Sequence, residues 1–150
     1  MADAMNIDVQ QRISAYNELG FVAFERSGLI MTTLTGAQDC LQVVFIHPKH
    51  AGLVVSELDR RGIVVPIMMY EGSPWWAFLV TVDADVEECV RRDTDRVFVL
   101  PPVSTVALPT PGRRKAHWIR MPQGRIPPPM SVVLGVADDL FRVYEAGGQK

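Results

Sequence analysis

Apolar positions along this chain recur in two different periods, and the switches between those periods mark its elements. Between residues 8 and 19, Val9, Ile13, Tyr16 and Leu19 fall on one helical stripe. Asn6 or Asp8 caps its start and Gly20 stops it. Residues 21–26 and 29–35 read as strands around Ser27-Gly28, a two-residue hairpin signal. Residues 41–47 are almost wholly apolar, which predicts a central strand. A second helix over 49–61 places Ala51, Val54, Val55 and Leu58 on one face, and Gly62 ends it. Residues 63–70 form a strand that Pro66 pushes toward an edge or a bulge. The turn Glu71-Gly72-Ser73-Pro74 leads into a strand over 75–82, followed by a short helix over 84–92 and a strand over 96–100.

From residue 41 to 100 the order is therefore β-α-β-β-α-β. That is the split βαβ pattern, and it predicts a ferredoxin-like (RRM-like) α+β core whose antiparallel sheet carries two helices on one face. A helix-hairpin extends it at the N-terminus. At the C-terminus, residues 104–108 and 115–120 are expected to pair as a hairpin around Pro109-Thr110-Pro111-Gly112. Pro127-Pro128-Pro129 then acts as a rigid connection to a last helix over 131–145, with Val133, Val136, Leu140 and Phe141 inward despite Gly135. Residues 1–150 are thus expected to make one α+β domain.

Composition narrows the class. The chain has 150 residues, 48% of them hydrophobic and 8% aromatic, as in an ordinary globular protein. No apolar run approaches the roughly 20 residues that span a bilayer, so no membrane partner is expected. The first residues lack the basic start and apolar core of a signal peptide, which predicts a cytoplasmic location. Cys40 and Cys89 stand apart with no Cys-x-x-Cys pairing, and reduced thiols are the expected state. Charge is uneven. The net −2 conceals 5 basic against 12 acidic residues over 1–90, and 8 basic against 2 acidic over 91–125.

Two stretches carry candidate chemistry. The apolar strand ending Val80-Thr81-Val82-Asp83-Ala84-Asp85 releases two carboxylates spaced to share one face, where they could hold Mg²⁺ or Mn²⁺ for phosphate chemistry. A competing reading is local: Asp85-Val86-Glu87-Glu88 has the spacing of a capping box, which needs only Asp85. The second stretch, Arg113-Arg114-Lys115-Ala116-His117-Trp118, joins three cations to a histidine and an aromatic ring, a set suited to phosphate or single-stranded nucleic acid. Its competitor is a solvated hairpin tip. His47 and His50 lack a third ligand, and Pro48 between them spoils a shared zinc geometry. Of Trp75 and Trp76, alternation predicts one inward and one outward, free to stack on a base or a subunit.

Phe78–Asp85, Leu100-Pro101-Pro102 and Lys115-Ala116-His117 together resemble motifs of the archaeo-eukaryotic-type primase-polymerases of plasmid and phage replication proteins. The resemblance covers about residues 63–120. It implies catalytic roles for Asp83, Asp85 and His117: the two carboxylates as ligands of Mg²⁺ or Mn²⁺ and the histidine against the incoming nucleotide. Arg113, Arg114 and Lys115 would supply positive potential. A third carboxylate belongs to that family's site, and the only late aspartates here, Asp138 and Asp139, lie on a predicted helix. Nucleotide or nucleic-acid handling is the expected function, binding-only or as a metal-dependent nucleotidyltransferase. The alternative is a non-catalytic, homo-oligomeric α+β module that binds a protein or a small apolar ligand.

Overall fold

A computed structural model describes the backbone over residues 2–123 and 126–148, and side chains within 8–123 and 126–142. In chain order the elements are α1 (Ala2–Glu18), β1 (Ala23–Arg26), β2 (Leu29–Leu34), β3 (Leu41–Ile46), α2 (Pro48–Arg60), β4 (Ile67–Tyr70) and β5 (Trp76–Thr81). After these come α3 (Val86–Arg91), β6 (Val97–Val99), β7 (Ser104–Ala107), β8 (Ala116–Arg120) and α4 (Met130–Gly148). The fold is α+β, with two antiparallel sheets. One has five strands in the order β6-β3-β5-β4-β8, the other three in the order β1-β2-β7.

The continuous apolar run of β3 has a direct cause. Every one of its six positions is buried, because both faces of the larger sheet are covered. Alternation sends Val44, Ile46, Ile67, Phe78 and Val80 toward one cluster, shared with Ala51, Val54 and Leu58 of α2 and Met130, Val133 and Val136 of α4. Val43, Phe45, Met68, Ala77 and Leu79 face the opposite cluster, with Val9 and Tyr16 of α1 and Ile30 and Leu34 of β2. Burying a side chain such as Phe78, fully enclosed, stabilises the fold by about 2–3 kcal/mol. The β1–β2 turn closes as its sequence predicts: Ser27 and Gly28 have φ of 54° and 80°, the left-handed pair of a type I′ hairpin.

Three expectations change. Pro66 does not push its strand to an edge, because β4 begins after it and lies between β5 and β8. Pro66 has no N–H to lose there, and its carbonyl accepts from Leu79 N at 2.9 Å. The irregularity survives as a register shift between Ile67 and Met68 against β8. Second, β7 and β8 do not pair with each other. β7 joins β2 and β8 joins β4, so the segment between them crosses from one sheet to the other. Pro109 and Pro111 remove donors from that crossing. Thr110 locks it instead, its Oγ1 accepting from Ile30 N at 2.9 Å and donating to the Leu108 carbonyl at 2.9 Å. Third, neither Trp75 nor Trp76 is simply outward. Each is half-buried, Trp76 against the helix-side cluster and Trp75 against the other, because neither face is left open.

Candidate functional site

The end of β5 is tied by hydrogen bonds to the proline run that precedes α4. Thr81 N donates to the Pro128 carbonyl at 2.9 Å and Thr81 Oγ1 to the Pro127 carbonyl at 2.8 Å, which lays that run alongside the strand. The start of α4 thereby lands beside Asp83. Asp83 Oδ1 accepts from Ser131 N at 2.9 Å, and its Oδ2 accepts from the Ser131 hydroxyl. Asp85 caps α3, its Oδ1 accepting from Glu87 N at 3.0 Å and from Glu88 N at 3.4 Å. Each acid therefore stands at a helix N-terminus, where amide donors and the helix dipole favour negative charge.

His117 is elsewhere. In the β4 ladders, Met69 lies opposite both Trp76 and His117, so His117 is level with the first residue of β5. Asp83 comes seven positions later, which at strand rise is about 20 Å farther along the sheet. The two aspartates and the histidine do not converge on one cleft. Among the described residues no group of three or more His, Cys, Asp or Glu side chains is placed to hold a metal ion. Two capping carboxylates without a third ligand or the histidine do not fit a Mg²⁺ or Mn²⁺ centre for phosphoryl transfer, and no step through such an ion can be derived from this arrangement.

The cations of residues 91–125 are also dispersed. Arg92 pairs with Glu88 at 2.7 Å, and Arg120 reaches across to Asp59 of α2 at 2.5 Å. Arg113, Arg114 and Lys115 remain together on the exposed crossing between β7 and β8. Arg113 lays its guanidinium on the β1–β2 turn. A β-carbon at Gly28 would stand 2.3 Å from Arg113 Nη2, so the exposed guanidinium would swing aside, and it is the φ of 80° that favours glycine there. Beneath the crossing lies a groove of about 350 Å³ whose border includes Arg12 and Tyr16 of α1, Arg113, His117 and Trp118. A second recess of about 370 Å³ shares Arg12, Tyr16, Trp118 and Met121 with it, and is bounded at its far end by Leu19, Glu18 and Pro122. One end is cationic and the other mostly apolar.

The floor of this groove is rigid. Tyr16 donates from its hydroxyl to the Pro109 carbonyl at 2.6 Å, packs edge-on to Trp118 and stacks on Phe21. Burial pushes its phenol up to about 12, although Trp118 and Arg12 pull the other way. The Trp118 indole N–H lies near that hydroxyl but outside hydrogen-bonding geometry, and is an unspent buried donor. Along β8, Trp118 packs against Tyr16 of α1, whereas His117 between Ala116 and Trp118 is exposed and borders the groove. His117 thus belongs to the rim of the groove rather than its floor. Arg12 was not legible as a site residue, because the sequence presents it only as a polar position on an amphipathic helix. Its neighbour Tyr16 reads there simply as part of the apolar stripe.

The remaining candidates resolve into packing. His47 accepts at Nδ1 from Lys49 N at 3.1 Å, so it caps α2, and its ring meets Trp75 edge-on. His50 packs edge-on against Phe141, and burial, followed by Arg96, Lys49 and His47, lowers its proton affinity. Cys40 and Cys89 are both free thiols. Among the described residues no helix is long and apolar enough to cross a membrane. No protein-family model, curated protein or solved structure matches this chain.

Proposed function

We propose that this chain handles nucleotides or single-stranded nucleic acid by binding alone, as a relative of the primase-polymerase core it resembles. The observation that carries this reading is the groove between α1 and the β7–β8 crossing, which sets Arg12, Arg113 and the indole of Trp118 around one recess. Cations along such a groove take phosphates, and an aromatic wall takes bases without regard to sequence. Arg114 and Lys115, exposed on the same crossing, add long-range attraction. The strand order β6-β3-β5-β4 is compatible with an RRM-like sheet, which supports the same class of ligand.

Fluorescence anisotropy with a labelled oligothymidine tests this. Binding at low salt is expected to weaken about tenfold or more on moving to physiological salt, since each phosphate contact releases counterions. Arg113→Glu combined with Arg114→Glu is expected to abolish binding while leaving the circular dichroism spectrum unchanged. Absence of binding by the wild-type chain at low salt, or salt-independent binding, would overturn the reading.

A further inference from the structure

The N-terminal turn of α2 gathers cationic and titratable groups and holds no acid. His47 is the N-cap, Lys49 and His50 follow within the first turn, and no Asp or Glu accompanies them. That arrangement runs against the usual preference for acids at the positive end of a helix dipole. The cap works only while His47 carries no proton on Nδ1, because that lone pair accepts from Lys49 N at 3.1 Å. His47 N in turn donates to the Arg96 carbonyl at 2.8 Å, which ties the turn to the approach to β6.

Aromatic rings close around the two histidines. His47 meets Trp75 edge-on with ring centres 5.2 Å apart, and His50 meets Phe141 of α4 edge-on at 4.9 Å. The two imidazoles stand 6.2 Å from each other. His50 is 7% exposed, so a proton added there would find little water to solvate it. Among the described residues, the charged groups nearby are Lys49 on α2 itself and Asp95 and Arg96 ahead of β6. Asp138 and Arg142 of α4 border one recess with Asp95, Arg96 and Phe141, and the Arg96 guanidinium lies 5.5 Å over the Phe141 ring. Burial first, then Arg96, Lys49 and His47, lowers the proton affinity of His50 against the opposing pull of Asp95. The stability a neutral His50 contributes is therefore complete above the ordinary imidazole value of about 6.5 and is lost as pH falls through its lowered one.

We propose that His47 and His50 form an acid-sensitive latch, which holds the start of α2 against Trp75 and the Phe141 end of α4 when neutral and releases both when protonated. The latch is separate from the nucleic-acid groove, since β5 and β4 lie between β3 and β8. Glu57 and Asp59, held low by Arg60, Arg61 and Arg120, titrate below the range in which imidazoles do. Asp93, raised by burial, changes stability with the opposite sign. Thermal unfolding of the full chain tests the latch: the wild type is expected to lose about 5 °C in melting temperature between about pH 7.5 and about pH 5.5. His47→Asn keeps a capping oxygen that takes no proton in this range, and is expected to lose roughly half as much. His47→Asn/His50→Gln is expected to lose under about 1 °C, which also sets apart the exposed His117. Wild-type NMR gives a readout that does not depend on the double variant folding: the Lys49 amide resonance is expected to move upfield with acid as its bond to Nδ1 is lost, while the amides of β5 stay in place. A wild-type melting temperature unchanged over this range, a His47→Asn chain as acid-sensitive as the wild type, or a Lys49 amide indifferent to pH would each overturn the proposal.

Discussion

At the far end of β5, Asp83 and Asp85 face newly begun helices and give their oxygens to the amides of Ser131, Glu87 and Glu88. Near the start of β8, Arg114 and Lys115 face water, and no ion pair among the described residues holds them. Both ends belong to one sheet and both carry clustered charge. They differ in what the backbone offers nearby. A helix N-terminus presents unpaired N–H groups that a carboxylate satisfies at once. A proline-containing crossing between sheets offers few such donors and no anionic partner, so its cations stay available. Charge clustering in a sequence therefore says little about function until the neighbouring hydrogen-bonding groups are known.

Substitutions sharpen this contrast, and the largest effect belongs to the acid that joins distant elements. Asp83→Ala removes both bonds to Ser131 and unties α4 from β5, with an expected loss of about 2 kcal/mol in urea denaturation. Should it cost nothing, Asp83 is not held by capping, and its availability to a ligand reopens. Tyr16→Phe acts at the groove. It strands the buried Pro109 carbonyl and is expected to cost about 1.5 kcal/mol while lowering oligothymidine affinity, because the floor of the groove loosens. Asp85→Ala deletes a local cap on a helix of six residues and should cost about 1 kcal/mol or less by the same denaturation. His117→Ala, at an exposed rim position, should change stability by under about 0.5 kcal/mol, and any effect on binding separates a ligand contact from a bystander. Smallest of all, Mn²⁺ titrations of the wild type and of Asp83→Asn/Asp85→Asn should coincide; tighter binding by the wild type would restore the carboxylate pair as a metal site.

Much of the local structure was legible in the residues. The stripe Ala51, Val54, Leu58 marked α2, the unbroken run of β3 marked a centre, and Ser27-Gly28 marked a turn, because each is dictated by contacts within a few residues. The capping role of Asp85 was legible for the same reason, in the spacing to Glu88. Asp83 was not, since its partner Ser131 lies 48 positions away. The groove was half legible. Arg113 to Lys115 stood out as a charge run, whereas Arg12 and Tyr16 join it only because α1 packs beneath β8.

By itself the amino-acid order settled the element types, their succession from residue 41 to 100 and the α+β class, since periodicity and turn chemistry act over short range. Tertiary structure alone decided two further things: that β7 and β8 enter different sheets, and that the acids and His117 lie at opposite ends of one strand direction. Each of these depends on register and on which surfaces are left to be covered. Those quantities are set by the packing of segments distant in the chain, and no local spacing encodes them.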